Sequence, residues 1–417
     1  MLLLNSQTRR RGIDGILVLC GTFAAPLAQW AVFFFVARVG GSGDAGHFAL
    51  LFAVVTPVIT GTNWGLRNGF ITLQKRTSFA DFVLLRFVGI VVASLIILTF
   101  GFLAGISFGM VVAMTLMKGA DSISDLWFGR WQYQERLRPF GYLMIINGLV
   151  SVSCAATFAW LGFGSGWIVL GSAFGSIVTA VLAVLLDYRD VIAWRARGGY
   201  ERHGALKRCG RILRDCSKIC AAQVLAGAVV NVPTWSVAVT GSAQDIGRFA
   251  AAGYMISVGS LLGASLNSTV LGRYHSEMVS GGSDVVRRSV LRGTAAISFV
   301  GVAGVIAVWF FGVGLFTAVY GAGFAFTPTE LCLIALAAAL NPGTYLMNAA
   351  LLAVNLYTAQ LAVVAVALAG SAGVAVVGTL LGAPGFMLGA YTALVGSLLK
   401  FGMSGICLRR SATEAVV

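Results

Sequence analysis

The 417-residue sequence predicts an all-α polytopic membrane protein of about twelve transmembrane helices in two six-helix lobes. Three observations carry this. Charged residues make up 11% of the chain and hydrophobic ones 58%, whereas a soluble domain carries roughly 25% charged residues. That leaves too little polar surface for a globule facing water. The apolar residues also fall in long unbroken runs near the ~20 residues a helix needs to cross a bilayer. Within hydrocarbon, hydrogen-bonded helices satisfy the backbone. Short alternating segments of the kind a membrane barrel requires are missing. Finally, the basic residues segregate. Only Arg38 and Arg248, of 29 Lys and Arg, fall on the side opposite the N-terminus. This bias places both termini in the cytoplasm. It also accounts for most of the +14 net charge, so the charge carries no argument for nucleic acid as a partner.

Twelve runs qualify as spans: 14–37, 47–66, 83–103, 105–127, 140–161, 166–187, 216–239, 248–270, 292–316, 329–350, 357–380 and 385–407. Turn chemistry separates them, as in Gly40-Gly41-Ser42-Gly43-Asp44, Gly162-Phe163-Gly164-Ser165-Gly166 and Gly281-Gly282-Ser283-Asp284. The Arg9–Arg11 start precedes an apolar run from Gly12 to Val39. That run is longer than a signal-peptide core and has no small-residue cleavage site, so it reads as a first span. Four of the seven cysteines, Cys20, Cys154, Cys332 and Cys407, lie in apolar runs as small hydrophobes. Cys209, Cys216 and Cys220 lie in or beside a basic loop with His203, at a spacing that matches no zinc pattern.

The chain repeats itself weakly. Asp44-Ala45-Gly46-His47-Phe48-Ala49 follows the first span and Asp245-Ile246-Gly247-Arg248-Phe249-Ala250 follows the seventh, about half the chain later. Two lobes follow, 1–187 and 216–417, each with an even number of spans and therefore parallel in the membrane. The linker, 188–215, is strongly basic. Lys207, Arg211, Arg214 and Lys218 recur at helical spacing, with Leu206, Leu213 and Cys220 on another face. An amphipathic helix on the anionic inner leaflet fits this pattern, and so does a solvated positive-inside loop.

Polar groups and breakers inside the spans are the candidate functional residues. Pro26, Pro57, Pro233 and Pro342 each remove a backbone donor. Such kinks serve static packing as well as a protein that rocks between two openings. Gly61, Gly65 and Gly69 form a close-packing stripe that holds Asn63 and Arg67 beside a neighbouring helix. Arg67 reads either as a snorkelling anchor or as an anion-binding residue. Lys118 lies deep in the fourth span, with Asp121 and Asp125 at i+3 and i+7 on the same face. Charges at that depth face protein or water. The set is either a self-neutralising pair or a polar stripe along a watery route. Gln223, Asn231, Asn267 and Asn341 add further polarity. No nucleotide-binding loop, catalytic triad or metal-ligand spacing occurs in the sequence, and no cofactor or enzymatic activity is expected. Transport would draw on an ion gradient, the membrane potential or product removal.

Several ordered stretches resemble the oligosaccharide flippases of O-antigen and exopolysaccharide synthesis, within the multidrug/oligosaccharidyl-lipid/polysaccharide exporter (MOP) superfamily. Val36-Ala37-Arg38-Val39-Gly40-Gly41 through Gly46-His47-Phe48-Ala49 resembles that family's opening. Asn63-Trp64-Gly65-Leu66-Arg67-Asn68 resembles its second-span ending, and Lys118-Gly119-Ala120-Asp121-Ser122-Ile123-Ser124-Asp125 its fourth span. Asn231-Val232-Pro233 with Gly247 and Phe249-Ala250-Ala251 is similar to its seventh-span region. The chain departs from the pattern at Thr234, where the family has Arg, and at Thr269-Val270, where Pro-Arg precedes the Arg273-Tyr274 pair. The resemblance implies two six-helix lobes around a central cavity in the bacterial inner membrane. It implies an undecaprenyl-diphosphate-linked oligosaccharide as substrate, and a polysaccharide polymerase and glycosyltransferases as partners. Arg67, Lys118, Arg273, Asn63, Asn68 and Asn231 would then contact substrate, and Asp121 and Asp125 would line or couple the cavity. A diphosphate needs fixed cations, and its prenyl tail can stay in lipid. Competing readings are a multidrug or small-solute antiporter of the same superfamily, a non-transporting membrane partner of a glycan-assembly complex, and a membrane glycosyltransferase.

Overall fold

A computed structural model describes residues 2–73, 78–196, 205–354 and 356–414, and every element among them is helical. The helices are α1 (Leu2–Thr62), α2 (Leu66–Leu73), α3 (Phe79–Leu103), α4 (Phe108–Tyr133), α5 (Leu137–Trp160) and α6 (Ser165–Ala196). They continue as α7 (Ala205–Thr240), α8 (Ala243–Tyr320), α9 (Pro328–Ala353), α10 (Tyr357–Leu380) and α11 (Gly385–Glu414). Ten described stretches are long and apolar enough to cross a membrane. One of them, Leu17–Ile71, is long enough for two crossings. Gly41, at φ 70°, bends α1 into two helices there, and Gly282, at φ 72°, bends α8. These backbones need φ above zero, which glycine adopts without a steric penalty. Helix α4 carries Lys118, Asp121 and Asp125 and is not among the ten, yet its 26 residues are long enough to span. The twelve predicted crossings are thus all present, and the tight junctions are real. Gly105 at φ 65° separates α3 from α4, and Gly382 at φ 68° precedes α11.

The helices are inside-out relative to a soluble bundle. Along α3, Phe82, Arg86, Gly89, Ala93 and Ile97 form the buried stripe, while Phe87, Val88, Val91, Val92 and Leu95 are exposed. Apolar side chains on the outer face suit lipid, and both charges of α3, Asp81 and Arg86, lie on the inner face.

The chain forms two compact units, Met1–Gly40 with Leu51–Gly227, and Gly41–Leu50 with Ala228–Val417. Within the first, a cluster of Leu66, Phe70, Phe82, Leu126, Trp127 and Trp131 packs the α2, α3 and α4 ends together. The described part of the basic segment that sequence assigns to a linker, 188–215, lies in this unit. Residues 197–204 lie outside the described residues, and α7 starts at Ala205. Its buried stripe is Cys209, Ile212, Cys216 and Cys220; of the face read from the sequence, Cys220 is buried, Leu213 is half-buried and Leu206 is exposed. The rotation is set by Arg208, whose Nε lies 2.9 Å from the fully buried carboxylate of Asp81. Trp64 Nε1 donates to the Leu213 carbonyl at 2.7 Å, and a methyl at Gly65 would sit 3.0 Å from Ile219. The small-residue stripe therefore does receive a helix, and that helix is α7. Lys207, Arg211, Arg214 and Lys218 face outward.

In the second unit the two repeated turns lie side by side. A Cβ on Gly46 would overlap the Ala243 carbonyl oxygen, and one on Gly247 would overlap that of Ser42. The Asp44 and Asp245 turns are thus in contact within the second unit. Next to them Ser242 and Asp245 form a capping box on α8, and Thr327 and Glu330 form one on α9. Arg248 reaches Glu330 at 3.0 Å and lies over the rings of Phe326 and Phe386.

Candidate functional site: a charged cavity in the first unit

Helix α1 ends at Thr62 and α2 begins at Leu66, and the break is what builds the site. Trp64 at φ 52° and Gly65 at φ 63° turn the chain through the left-handed region. Non-glycine residues adopt that region rarely, and the Trp64–Leu213 hydrogen bond holds it here. The break leaves Asn63 facing a cavity and starts α2 with Arg67 one residue in. The cavity has a volume of about 340 Å³ and lies wholly within the first unit. Asn63, Arg67, Lys118, Asp121 and Asp125 all line it. Five of the eight sequence-derived candidates therefore converge. Thr56, Thr60 and Asn147 add hydroxyls and an amide, and Phe52 and Phe128 add aromatic walls.

Helical spacing places Lys118, Asp121 and Asp125 along one face of α4. Lys118 Nζ lies 3.2 Å from Asp121 and 4.8 Å from the Phe52 ring centre. Arg67 Nη1 lies 3.0 Å from Asp125 Oδ1, and its Nη2 donates to Gln132 at 3.2 Å. The Arg67 stem rests on Gly129, where a Cβ would meet its Cγ at 2.8 Å. The far oxygen of Asp125 takes a second arginine, Arg86, at 3.1 Å. Arg86 is 1% exposed, and its Nε and Nη1 have no hydrogen-bond partner among the described residues. Three cations and two carboxylates thus leave one positive charge in and behind the cavity. Arg67 and Lys118 each hold an acid and remain partly exposed, so an incoming anion can compete for them.

The other candidates lie elsewhere. Asn68 is exposed on α2 and does not line the cavity. Asn231 is buried in α7 and Arg273 is exposed on α8, both within the second unit. Arg273 Nε sits 2.7 Å from Glu277. Hydrogen bonds from Arg273 and Ser289 hold the Glu277 carboxyl below the usual carboxylate range. Two basic residues escape a search for polar stripes, because each is the lone charge of its predicted span. They are Arg86 in 83–103 and Lys400 in 385–407. A charge inside an apolar run is nevertheless the same signal that marks Lys118.

No protein-family model matches the sequence, and no curated protein does. Solved structures match its fold over nearly the whole chain. An inward-facing multidrug resistance MATE family transporter of the MOP superfamily aligns with TM-score 0.67 at 14% identity, over 92% of this chain and 94% of that one. A MOP superfamily transporter from Pyrococcus furiosus, described by a binding pocket of reverse polarity that suggests a different function, aligns with TM-score 0.56 at 13% identity, over 94% of each chain. The Vibrio cholerae MATE transporter VcmN in its bent form aligns with TM-score 0.52 at 12% identity, over 97% and 98%. The chain has the two-lobed, all-helical, membrane-spanning fold of the MOP transporters.

Proposed function

We propose that this chain is a flippase. It moves undecaprenyl-diphosphate-linked oligosaccharide units from the inner to the outer leaflet of the bacterial cytoplasmic membrane by alternating access, for surface polysaccharide synthesis. The observation that carries the reading is the cavity of the first unit, where Arg67 and Lys118 stand among amides, hydroxyls and aromatic rings. Cations suit a diphosphate, and Arg grips phosphate through two parallel hydrogen bonds. Amides and ring faces suit sugars. Solved structures of similar fold are described in inward-facing, outward-facing and bent forms, which supports alternating access here. In this proposal both termini are cytoplasmic, Asp121 and Asp125 hold the cations until substrate arrives, and Arg273 and Asn231 serve the second unit.

Export of cationic drugs is the second reading, favoured by the MATE relatives in fold and by the two acids on the cavity wall. The charge balance opposes it. Asp121 is paired with Lys118 and Asp125 with two arginines, so a cation entering would meet a net positive charge.

The test is Arg67→Ala beside Arg67→Lys, with glycan export and protein level both measured. One charged hydrogen bond is worth roughly 1.5–3 kcal/mol, so the alanine variant should lose about ten- to a hundredfold in substrate affinity and lysine clearly less. Normal export by well-expressed Arg67→Ala would remove Arg67 from the substrate site. Drug export that responds to Asp121→Asn while glycan export does not would favour the second reading.

A further inference from the structure

The basic residues of the first unit's cavity each hold a carboxylate. Lys400, in the second unit, holds none. It lies in α11, about 22 Å along the helix from Gly385 and about 13 Å short of Arg409, at 1.5 Å per residue. Ala393, Ser397 and Ser404, at i−7, i−3 and i+4, are all buried, so Lys400 belongs to the stripe that faces the interior of its unit. Its side chain is largely buried, yet it keeps some access. Among the described residues it makes neither a hydrogen bond nor an ion pair.

Sequence explains why. No Asp or Glu occurs between Cys216 and Gln244, between Ile246 and Ser276, or between Leu331 and Thr413. The acids of this unit stand at helix ends, where Asp245 and Glu330 serve Arg248 and Glu277 serves Arg273. What shares the depth of Lys400 is neutral. The neighbouring turn, Ser404, hydrogen-bonds Asn348 of α9 at 3.4 Å, and Phe401 packs on Gly343 of α9. Two turns before Asn348 on α9, Asn341 donates to Ser260 of α8 at 3.2 Å. The polar stripe of α9, Asn341, Thr344 and Asn348, has the i, i+3, i+7 spacing that Lys118, Asp121 and Asp125 have on α4, with every charge replaced by an amide or hydroxyl.

An unpaired ammonium in the membrane interior is costly. A snorkelling anchor belongs at a helix end, and Lys400 is on the buried stripe instead. We infer that Lys400 is an anion-binding site of the second unit, which takes the phosphate or diphosphate group of an amphiphilic substrate. This rests on the substrate class proposed above, and it makes Lys400 a cation that finds no counter-charge among the described residues and takes the ligand's.

The full chain in phosphatidylcholine nanodiscs is titrated with farnesyl diphosphate, with farnesol as the uncharged control, and binding is read by tryptophan fluorescence. Lys400→Met should weaken farnesyl diphosphate binding about ten- to a hundredfold, the value of one charged hydrogen bond, while Lys400→Arg stays within a few-fold of wild type. Lys400→Gln is the second neutral variant should the methionine chain fold poorly. Equal binding by wild type and a folded neutral variant overturns this inference and leaves the substrate class standing. Failure of wild type to prefer the diphosphate over farnesol overturns the substrate class, and this inference with it. If phosphatidylglycerol stabilises wild type but not the neutral variants, and farnesyl diphosphate binding is unchanged by them, a bilayer headgroup fills the site and the inference is wrong.

Discussion

Asp125→Asn is the perturbation that most directly tests how the cavity is held together. Asp125 is the acid shared by Arg67 and Arg86, at 3.0 and 3.1 Å. The two arginines differ in what they lose. Arg67 is 29% exposed on its side chain and keeps Gln132 and water. Such a pair is worth ~0–1 kcal/mol. Arg86 is 1% exposed and already leaves two N–H donors unmatched. At 3.1 Å and an effective dielectric near 20, the gross attraction of Asp125 for Arg86 is about 5 kcal/mol. Removing one partner of such a pair costs about 3–5 kcal/mol, because the other charge stays buried. Asp125→Asn should therefore destabilise the protein by about that much. Arg86→Met should cost less, because Asp125 is a third exposed and retains Arg67. The Arg86→Met/Asp125→Asn pair should recover much of the loss, with a coupling energy of ~2–3 kcal/mol. The assay is heat inactivation in detergent followed by size-exclusion of the surviving fold. Unfolding of this kind ranks variants by rate at fixed temperature. Wild-type survival of Asp125→Asn, or losses that simply add in the double variant, would refute the shared-acid account.

Two further outcomes are expected. Gly46→Ala should reduce folded protein sharply, by an amount of order 1–3 kcal/mol or more, because the new methyl meets the Ala243 backbone and no flexible side chain can give way; folded yields equal to wild type would dissolve the contact between the two repeated turns. Cysteines at 42 and 243 should react with an impermeant reagent applied from outside intact cells, and a cysteine at 211 only after the membrane is opened. Outside labelling at 211 would invert the topology drawn from the basic residues.

Span positions were legible because bilayer thickness imposes a length and glycine marks the exits. The details were decided by single residues. Gly40–Asp44 and Gly281–Asp284 read as loops, yet helix runs through both, with only Gly41 and Gly282 leaving helical geometry. A run of glycines signals a bend but does not say how many residues the bend consumes. The second span was read through to residue 66, whereas Trp64 and Gly65 break it earlier. Tryptophan carries no turn signal, and its conformation here depends on a carbonyl of α7 nearly 150 residues away. The buried face of that basic segment is only partly legible in the sequence. Cys220 belongs to it, but Leu206 does not, because the Arg208–Asp81 pair sets the rotation.

Charge pairing shows which parts of the site a sequence can give and which need three dimensions. The Lys118–Asp121 pair was readable from an i, i+3 spacing, and the structure makes it. Arg86 could not be tied to Asp125 in the same way, since 39 residues and a change of helix separate them. Its burial was just as hidden, because an arginine near the start of a span reads as an ordinary cytoplasmic anchor. Lys400 is the opposite case. The absence of any acid from Leu331 to Thr413 can be read directly from the letters, and no fold of those helices alone can supply a carboxylate to it. The structure adds that the acids elsewhere in its unit are engaged at helix ends, and that α11 turns Lys400 toward the interior. In and behind the first unit's cavity, Arg67, Arg86 and Lys118 each have an acid. Lys400 makes no hydrogen bond or ion pair among the described residues, and a ligand is proposed to bring its counter-charge.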